Sequence, residues 1–207
     1  MIKTIIFDFG DVFINLDKQA TYRELKKLGI TSFSEEMMEI NKLYETGNIS
    51  SAEFVSFYHK VFPNSERKQL EAAWNAIILD FPEHRLKFIE DLAKVDQYQL
   101  ILLSNTNELH IEKVIENMGI ERYNRFKNSF HYFYLSHEIH FRKPEEEIYQ
   151  FVLETHSLKA EECIFIDDTF ENTEAAKKLG IHVWNNNPID DNIVHLFQKK
   201  KDIFDLT

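Results

Sequence analysis

Charged and polar side chains occur at four places in this 207-residue chain where an apolar segment gives way to a turn or a helix. They are Asp8 in "FDFGDV", Ser104 in "LLSNTN", Lys143 in "RKPEEEIY", and the pair Asp167 and Asp168 in "FIDDTFEN". Singly, such residues serve as turn residues, helix N-caps or solvated surface lysines. Together, carboxylates and a lysine can form a charged site, and oxygen ligands suit a hard cation such as Mg²⁺. The choice depends on whether the fold brings them together.

Strand-like apolar runs alternate with amphipathic helical patterns along most of the chain. Residues 5–7 do not alternate apolar with polar side chains, which is typical of a strand buried on both faces of a parallel sheet. Similar runs are "YQLILLSNTN", "CIFIDDTFEN", "IHVWNNNP" and, less clearly, "FHYFYLS". Strands separated by helices of this length indicate right-handed βαβ units. We therefore predict an α/β fold with a Rossmann-like, doubly wound parallel sheet.

One region, from about residue 17 to residue 81, contains helical patterns and no strand-like run. The patterns are "KQATYRELKKLG", "SEEMMEINKLYETG", "SAEFVSFYHKVF" and "SERKQLEAAWNAIIL", and Ser34 is a candidate N-cap of the second. The sequence therefore predicts an α/β core of residues 1–16 and 82–207 and a helical cap of residues 17–81. Because the cap follows the first strand directly, we expect it to lie over Asp8 as a lid.

The predicted sheet brings the four polar groups to one place. The C-terminal ends of parallel strands meet at the same edge, where open α/β folds bind their ligands. Three carboxylates gathered there repel one another and raise their pKa values unless positive charge is supplied. Lys143 supplies one charge, and a bound Mg²⁺, which typically takes one or two carboxylates plus a phosphate, supplies two more.

Composition excludes several classes of partner. The formal net charge is −11, so nucleic acid and anionic membrane surfaces are poor partners. Asp8 interrupts the N-terminal apolar run too early for a signal peptide, and no apolar stretch is long enough to span a bilayer. Cys163, the single cysteine, falls in the apolar run "CIFI" and is predicted to be buried in a strand. Without an intrachain disulfide, we expect a cytoplasmic protein. No segment indicates an oligomeric state.

The motifs, in this order and with a helical insert after the first, resemble the haloacid dehalogenase-like superfamily of hydrolases, which are mostly phosphatases. The resemblance rests on "FDFGDV", "LLSNTN", "RKPEEEIY" and "FIDDTFENTEAAKKLG" and covers essentially the whole chain. It is strongest for the branch with an all-helical cap, which includes bacterial sugar-phosphate phosphatases and the phosphatase domain of soluble epoxide hydrolases. The resemblance implies a Mg²⁺-dependent phosphomonoester hydrolase that acts on a small phosphorylated metabolite, such as a sugar phosphate.

The resemblance also implies a role for each motif residue. Asp8 would be the nucleophile that forms an aspartyl-phosphate. Ser104 would bind the phosphoryl oxygens with Asn105 beside it, and Lys143 would contact both the phosphate and Asp8. The implied metal ligands are Asp8, the backbone carbonyl of Gly10 and Asp168, supported by Asp167 and Asn172.

Gly10 departs from the family pattern, because most of these phosphatases carry there a second aspartate that protonates the leaving group. Three explanations follow. A metal-independent 2-haloacid dehalogenase needs no such acid, but it has no use for the acidic pair after "FI". A catalytically weak phosphate-binding scaffold would have no reason to keep the other charged residues. We favour a working phosphatase that replaces the acid with Asp11, a cap residue, a water or a good leaving group.

Two other interpretations of the motifs are weaker. A receiver domain of a signalling system uses similar residues, but its acidic pair follows the first strand and its lysine comes last, the reverse of the order here. His137 and His140 have a spacing that can bind a metal, yet no third ligand is evident, and we interpret His140 as a turn or pocket-wall residue.

The predicted cap restricts the substrate. A closed lid favours small metabolites over phosphoproteins, which cannot enter. Its side chains should contact the part of the substrate that is not phosphate. The candidates are Tyr22, Tyr44, Glu45, Asn48 and Trp74.

Overall fold

The computed structural model describes residues 1–204 and contains a five-stranded, entirely parallel sheet. The strands are β1 (Thr4–Phe7), β2 (Gln99–Ser104), β3 (Tyr132–Leu135), β4 (Cys163–Asp167) and β5 (His182–Asn185). Their order is β3-β2-β1-β4-β5, so β1 lies at the centre. The predicted doubly wound α/β fold is confirmed, and the least clear of the five runs forms the edge strand β3.

Helices connect the strands and form the segment between β1 and β2. They are α1 (Ala20–Lys27), α2 (Glu35–Glu45), α3 (Ser51–Val61), α4 (Arg67–Asn75), α5 (Glu83–Val95), α6 (Glu108–Met118), α7 (Ile120–Lys127), α8 (Ser136–Ile139), α9 (Glu146–Thr155), α10 (Phe170–Lys178) and α11 (Leu196–Lys199). The short helices α7, α8 and α11 do not follow from the sequence pattern. Within residues 1–204, no helix is long and apolar enough to cross a membrane.

Aromatic packing under one face of the sheet fixes the loop that follows β1. Phe126 is fully buried, and the ring centroids of Phe9, Phe13, Phe81 and Phe130 each lie 5.0 Å from its own. Because Phe9 and Phe13 flank the loop, their burial holds its backbone in place. Cys163 is buried, as predicted.

Helices α1–α4, which we call the cap, have a small hydrophobic core of their own, around Leu25, Tyr44, Phe54, Tyr58 and Leu70. The Ser34 side chain accepts a hydrogen bond from the Met37 N–H at 3.2 Å and so caps α2, as predicted.

The chain enters and leaves the cap through adjacent segments. Leu16 and Ile78 form an antiparallel bridge, and the Asp17 N–H donates to the Ile77 carbonyl at 2.9 Å. The boundaries at residues 16/17 and 81/82 stay predictions, and residues 205–207 of the predicted core lie outside the described residues.

Candidate active site

The strand ends bring three carboxylates together. β1 is paired with β2 on one side and β4 on the other, and the Asp8 N–H extends the ladder by donating to the Ile166 carbonyl at 2.8 Å. Asp8, Asp167 and Asp168 each offer a carboxylate oxygen, and these oxygens all lie within 4.8 Å of one another. Asp8 and Asp167 are buried. Buried like charges at this separation need a cation nearby.

Lys143 provides that cation. Its side chain is 1% exposed, and its Nζ donates to Asp8 Oδ1 at 2.6 Å, to Asp167 Oδ2 at 2.7 Å and to the Leu103 carbonyl at 2.8 Å. Burial alone lowers the pKa of Lys143, but the carboxylates of Asp167 and Asp8 outweigh it and raise the pKa above its ordinary value. The ammonium group is therefore charged and has all three of its hydrogens engaged.

Asp8 is less acidic than an ordinary aspartate. Burial is the main cause and raises its pKa from 3.8 to about 7, with Asp167 adding to the rise and Lys143 opposing it. Asp8 Oδ1 is held by Lys143, whereas Oδ2 accepts no hydrogen bond from any other residue among 1–204. One carboxylate oxygen is thus fixed and the other is available for chemistry.

Asp167 is fully occupied by protein groups. The Thr169 N–H donates to Oδ1 at 2.8 Å, and the Asn172 side-chain amide lies 3.1 Å from Oδ1 and 3.0 Å from Oδ2. Lys143 adds a further bond to Oδ2. Through these contacts, Asp167 and Asn172 hold Lys143 and the loop after β4 in place.

Asp168 contacts a cation that sequence reasoning missed. Lys18, at the start of the cap, donates to Asp168 Oδ2, and its Nζ lies 3.4 Å from Asp11 Oδ2. Burial raises the pKa of Asp168 even with Lys18 beside it. Asp168 and Lys18 are 150 positions apart, so no local sequence signal could have indicated this ion pair.

Ser104 is the last residue of β2 and Asn105 follows it, and the two side chains have different hydrogen bonds. Both line the large cavity between core and cap. The Asn105 amide accepts from the Lys143 N–H at 2.9 Å and donates to the Lys143 carbonyl at 2.8 Å. Its side chain therefore positions Lys143, and its backbone N–H makes no hydrogen bond to another described residue. Ser104 Oγ makes no hydrogen bond to another described residue.

In the loop after β1, the Leu16 side chain lies against position 10. A Cβ on Gly10 would lie 2.7 Å from Leu16 Cδ1, so a side chain there requires Leu16 to move. Asp11 does not line the cavity. Its Oδ1 accepts the Leu16 N–H at 3.0 Å, and its Oδ2 faces Lys18. The structure thus places Asp11 in the packing of its own loop.

The cavity between core and cap has a volume of about 710 Å³. Of the predicted cap contacts, Glu45 and Trp74 line it, whereas Tyr22, Tyr44 and Asn48 do not. Sequence reasoning missed Arg142 and His110, which also line it. Burial lowers the pKa of His110 to about 4, so its ring is neutral at pH 7.

The histidine pair forms no metal site. His140 occupies a left-handed turn (φ 64°), as expected for a turn residue, and its Nδ1 lies 2.8 Å from the Thr46 carbonyl. Within residues 1–204, the cluster of metal-ligating side chains is the one formed by Asp8, Asp167 and Asp168.

The residues present fit Mg²⁺. The donor set consists of oxygens, which this hard cation prefers. Asp8 keeps acceptor capacity beyond its bond from Lys143, and Asp168 Oδ2 accepts a hydrogen bond only from Lys18 among the described residues. The Gly10 carbonyl accepts the Val12 N–H at 2.6 Å and keeps a second lone pair. Asp167, in contrast, is committed to Lys143, Thr169 and Asn172.

Comparison with known proteins gives consistent matches over nearly the whole chain. Residues 2–180 match the family model of haloacid dehalogenase-like hydrolases. A D-ribitol-5-phosphate phosphatase from Bacteroides thetaiotaomicron is 26% identical over 197 residues, which cover 89% of this chain and 91% of that protein.

Solved structures agree with this match. A HAD family enzyme from Bacteroides thetaiotaomicron in complex with magnesium is 33% identical, with a TM-score of 0.84 over 95% of this chain and 98% of that one. The same enzyme with magnesium and inorganic phosphate gives a TM-score of 0.80 at 32% identity, over 95% and 100% of the two chains. A dehalogenase at 16% identity and a TM-score of 0.55, over 90% and 85%, shares the fold alone. This chain belongs to the haloacid dehalogenase-like hydrolases.

Proposed function

We propose that this protein is a Mg²⁺-dependent phosphatase that hydrolyses a small polyol or sugar phosphate through an aspartyl-phosphate on Asp8. The observation that carries the proposal is the buried contact of Lys143 Nζ with both Asp8 and Asp167, at the end of the central strand. A metal-independent dehalogenase would not need the acidic pair that this contact organises. The magnesium-bound relatives support the choice of metal.

In the first step, Asp8 Oδ2 forms a bond to phosphorus while the bond from phosphorus to the ester oxygen breaks. The electron pair leaves with the alcohol oxygen, which takes up a proton from a water molecule. Lys143 orients Asp8 through Oδ1 and leaves Oδ2 free to attack. Asp8, the Gly10 carbonyl and Asp168 would hold Mg²⁺, which would supply positive charge that offsets the negative charge of the phosphoryl oxygens and carboxylates.

Phosphoryl oxygens have several donors available in this site. The backbone N–H groups of Phe9, Gly10 and Asn105 make no hydrogen bond to any other described residue. We assign them, with Ser104 Oγ, to the phosphoryl group, because preorganised donors of this kind stabilise charge in the transition state. Lys143, whose three hydrogens are engaged, contributes its positive charge nearby.

In the second step, a water oxygen bonds to phosphorus and the bond between phosphorus and Asp8 breaks. The water gives up a proton, inorganic phosphate leaves, and the Asp8 carboxylate is restored. Because the cap covers the strand ends, it restricts the water that reaches the intermediate.

Asp11→Asn tests whether Asp11 supplies the leaving-group proton. Because the Leu16 N–H and Lys18 already face the two carboxylate oxygens of Asp11, we expect the variant to change kcat for an aryl phosphate and an alkyl phosphate by the same factor. A proton donor accelerates departure of an alkyl leaving group by roughly 10²–10⁴-fold and has a much smaller effect on an aryl leaving group. A selective loss of alkyl phosphate hydrolysis would instead assign the proton to Asp11. Steady-state phosphate release measures both rates.

The substrate belongs to the class of small phosphorylated metabolites. The relative named a D-ribitol-5-phosphate phosphatase and the partly polar cavity between core and cap both support a polyol or sugar phosphate. The net charge of −11 and the single buried cysteine support a cytoplasmic protein that binds neither nucleic acid nor membranes.

The proposal is tested by titrating the metal-free protein with Mg²⁺. We expect Mg²⁺ to raise the melting temperature, since a ligand at 100 times its Kd stabilises a fold by about 2.7 kcal/mol. Phosphate release from an aryl phosphate should require Mg²⁺ and stop when EDTA is added. Asp168→Asn should remove most of the thermal shift and the activity.

Asp96→Asn, at an exposed surface carboxylate, is the matched control and should behave like the wild type. Activity that persists in EDTA, or that appears with a 2-haloacid and no phosphate ester, would contradict the proposal.

A further inference from the structure

One face of α2 forms a wall of the cavity and carries three acidic side chains and one lysine. Glu35, Glu39, Lys42 and Glu45 all line the cavity from this helix. Arg142 lines it from the core, one residue before Lys143. Gly10, two residues after Asp8, and Ser104, at the end of the neighbouring strand, line the same cavity, so the non-phosphate part of a substrate whose phosphorus lies at Asp8 meets charged side chains on both sides.

Glu45 and Arg142 form an ion pair across the junction of cap and core. Arg142 Nε donates to Glu45 Oε2 at 2.6 Å, and both side chains are about a quarter exposed, at 28% and 26%. The Glu45 backbone is fixed as well, because Ser136 Oγ donates to its carbonyl at 2.6 Å. The pair is thus held in one geometry before any substrate arrives.

Each partner keeps polar atoms for a ligand. Arg142 uses only Nε in the pair, and its two terminal NH₂ groups make no hydrogen bond to another residue among 1–204. Glu45 Oε1 is equally free in that part of the chain. Guanidinium donors beside a carboxylate acceptor match an alcohol group, which accepts one hydrogen bond and donates another. Two neighbouring hydroxyls can satisfy both partners at once.

The same wall disfavours a second anionic group on the substrate. Arg142 is neutralised by Glu45, and Lys42 Nζ is paired with Glu145 at 2.8 Å. Glu35 and Glu39, in contrast, have no ion-pair partner within the described residues. A carboxylate or second phosphate would therefore meet uncompensated negative charge and no free cation.

We propose that the Glu45–Arg142 pair selects an uncharged polyol chain as the leaving group and rejects leaving groups that carry a carboxylate or second phosphate. The inference rests on the proposed phosphatase function and assigns Glu45 and Arg142 as its specificity residues.

The test compares glycerol 3-phosphate with 3-phosphoglycerate, which have the same three-carbon length and differ in a terminal hydroxymethyl or carboxylate group. We expect wild-type kcat/KM to favour glycerol 3-phosphate by about tenfold or more. Glu45→Gln removes the negative charge that neutralises Arg142 but keeps the shape of the side chain at position 45. It should shift the ratio at least about tenfold towards 3-phosphoglycerate, with an absolute gain on that substrate.

Arg142→Met separates specificity from a purely structural tie between cap and core. Both variants break the ion pair, but only Glu45→Gln frees a cation, so Arg142→Met should lose glycerol 3-phosphate hydrolysis without gaining 3-phosphoglycerate hydrolysis. Glu36→Gln is the control on α2, because Glu36 is exposed and does not line the cavity. It should leave both rates unchanged.

The inference is overturned if the two pair-breaking variants scale both substrates by one common factor. It is also overturned if the wild type hydrolyses an aryl phosphate but shows no preference between the two three-carbon substrates, an outcome that leaves the phosphatase assignment intact. No hydrolysis even of the aryl phosphate would instead refute the proposed function itself.

Discussion

Asp8→Asn is expected to abolish phosphate release while leaving the fold at least as stable as the wild type. The amide keeps the shape of the side chain but is a far weaker nucleophile, and losing a covalent nucleophile costs on the order of 10⁴-fold or more in kcat. Stability should not suffer, because burial already disfavours the Asp8 charge and raises its pKa to about 7. Lys143 keeps its contacts with Asp167 and the Leu103 carbonyl.

The pH dependence of unfolding checks the same variant. In the folded, metal-free wild type the pKa of Asp8 is about 7, so Asp8 keeps its proton up to that pH. In the unfolded chain its pKa is 3.8, and the proton is lost near that pH. The Asp8 contribution to the free energy of unfolding therefore decreases as pH rises between these values. Asp8→Asn has no such proton and should lack this part of the slope. Denaturation in urea at several pH values measures it, and identical slopes for the two proteins would contradict the assigned burial effect.

Lys143→Met is expected to damage both stability and activity. The variant leaves Asp8 and Asp167 buried without their shared cation, and breaking a buried ion pair by removing one partner typically costs about 3–5 kcal/mol. Without Lys143 to oppose it, the pKa of Asp8 rises further, so the loss of stability relative to the wild type should grow as pH increases through neutrality. Turnover should fall by roughly 10²–10³-fold or more, as when one preorganised donor is lost.

Two controls keep this prediction testable even if the single variant folds poorly. Lys87→Met changes a lysine that is 69% exposed and should alter stability by less than about 0.5 kcal/mol. The double variant Lys143→Met with Asp167→Asn removes one of the two carboxylates that the single variant leaves without a cation. It should recover stability but not activity. A single Lys143→Met variant as stable as the wild type from pH 5 to pH 8 would show that Lys143 is not the required counter-charge.

Features that depend on local pattern could be predicted from the sequence. The apolar runs mark all five strands, because a strand buried on both faces has no polar alternation. The topological rule for parallel sheets then places Asp8, Ser104 and Asp167 at one edge before any coordinates exist. Ser34 was recognisable as an N-cap because capping involves residues only three positions apart.

Contacts between distant segments could not be predicted in this way. Glu45 and Arg142 are 97 positions apart, and their pairing depends on how α2 docks against the core. Asn105 has the residue type of a phosphate ligand, yet its amide is committed to the Lys143 backbone 38 positions away.

The surroundings of Gly10 also depend on how the chain folds back on itself. Leu16 fills the space beside Gly10, and Asp11 is committed to the turn that brings Leu16 there. Sequence spacing identifies the departure at position 10 but contains no information on which side chain occupies the volume. Helix α7 was missed for a local reason, since Gly119 (φ 82°) separates it from α6 and leaves only eight residues.

The central claim is that phosphoryl transfer passes through Asp8, and the most direct measurement is to trap the covalent intermediate. The wild type is mixed with Mg²⁺ and a phosphate ester, quenched in acid during turnover, digested and mapped by mass spectrometry. We predict one added phosphoryl group on the peptide that contains Asp8, and conversion of residue 8 to homoserine after borohydride reduction. Rapid turnover with no adduct at Asp8, or with the phosphoryl group on another residue, would contradict the mechanism.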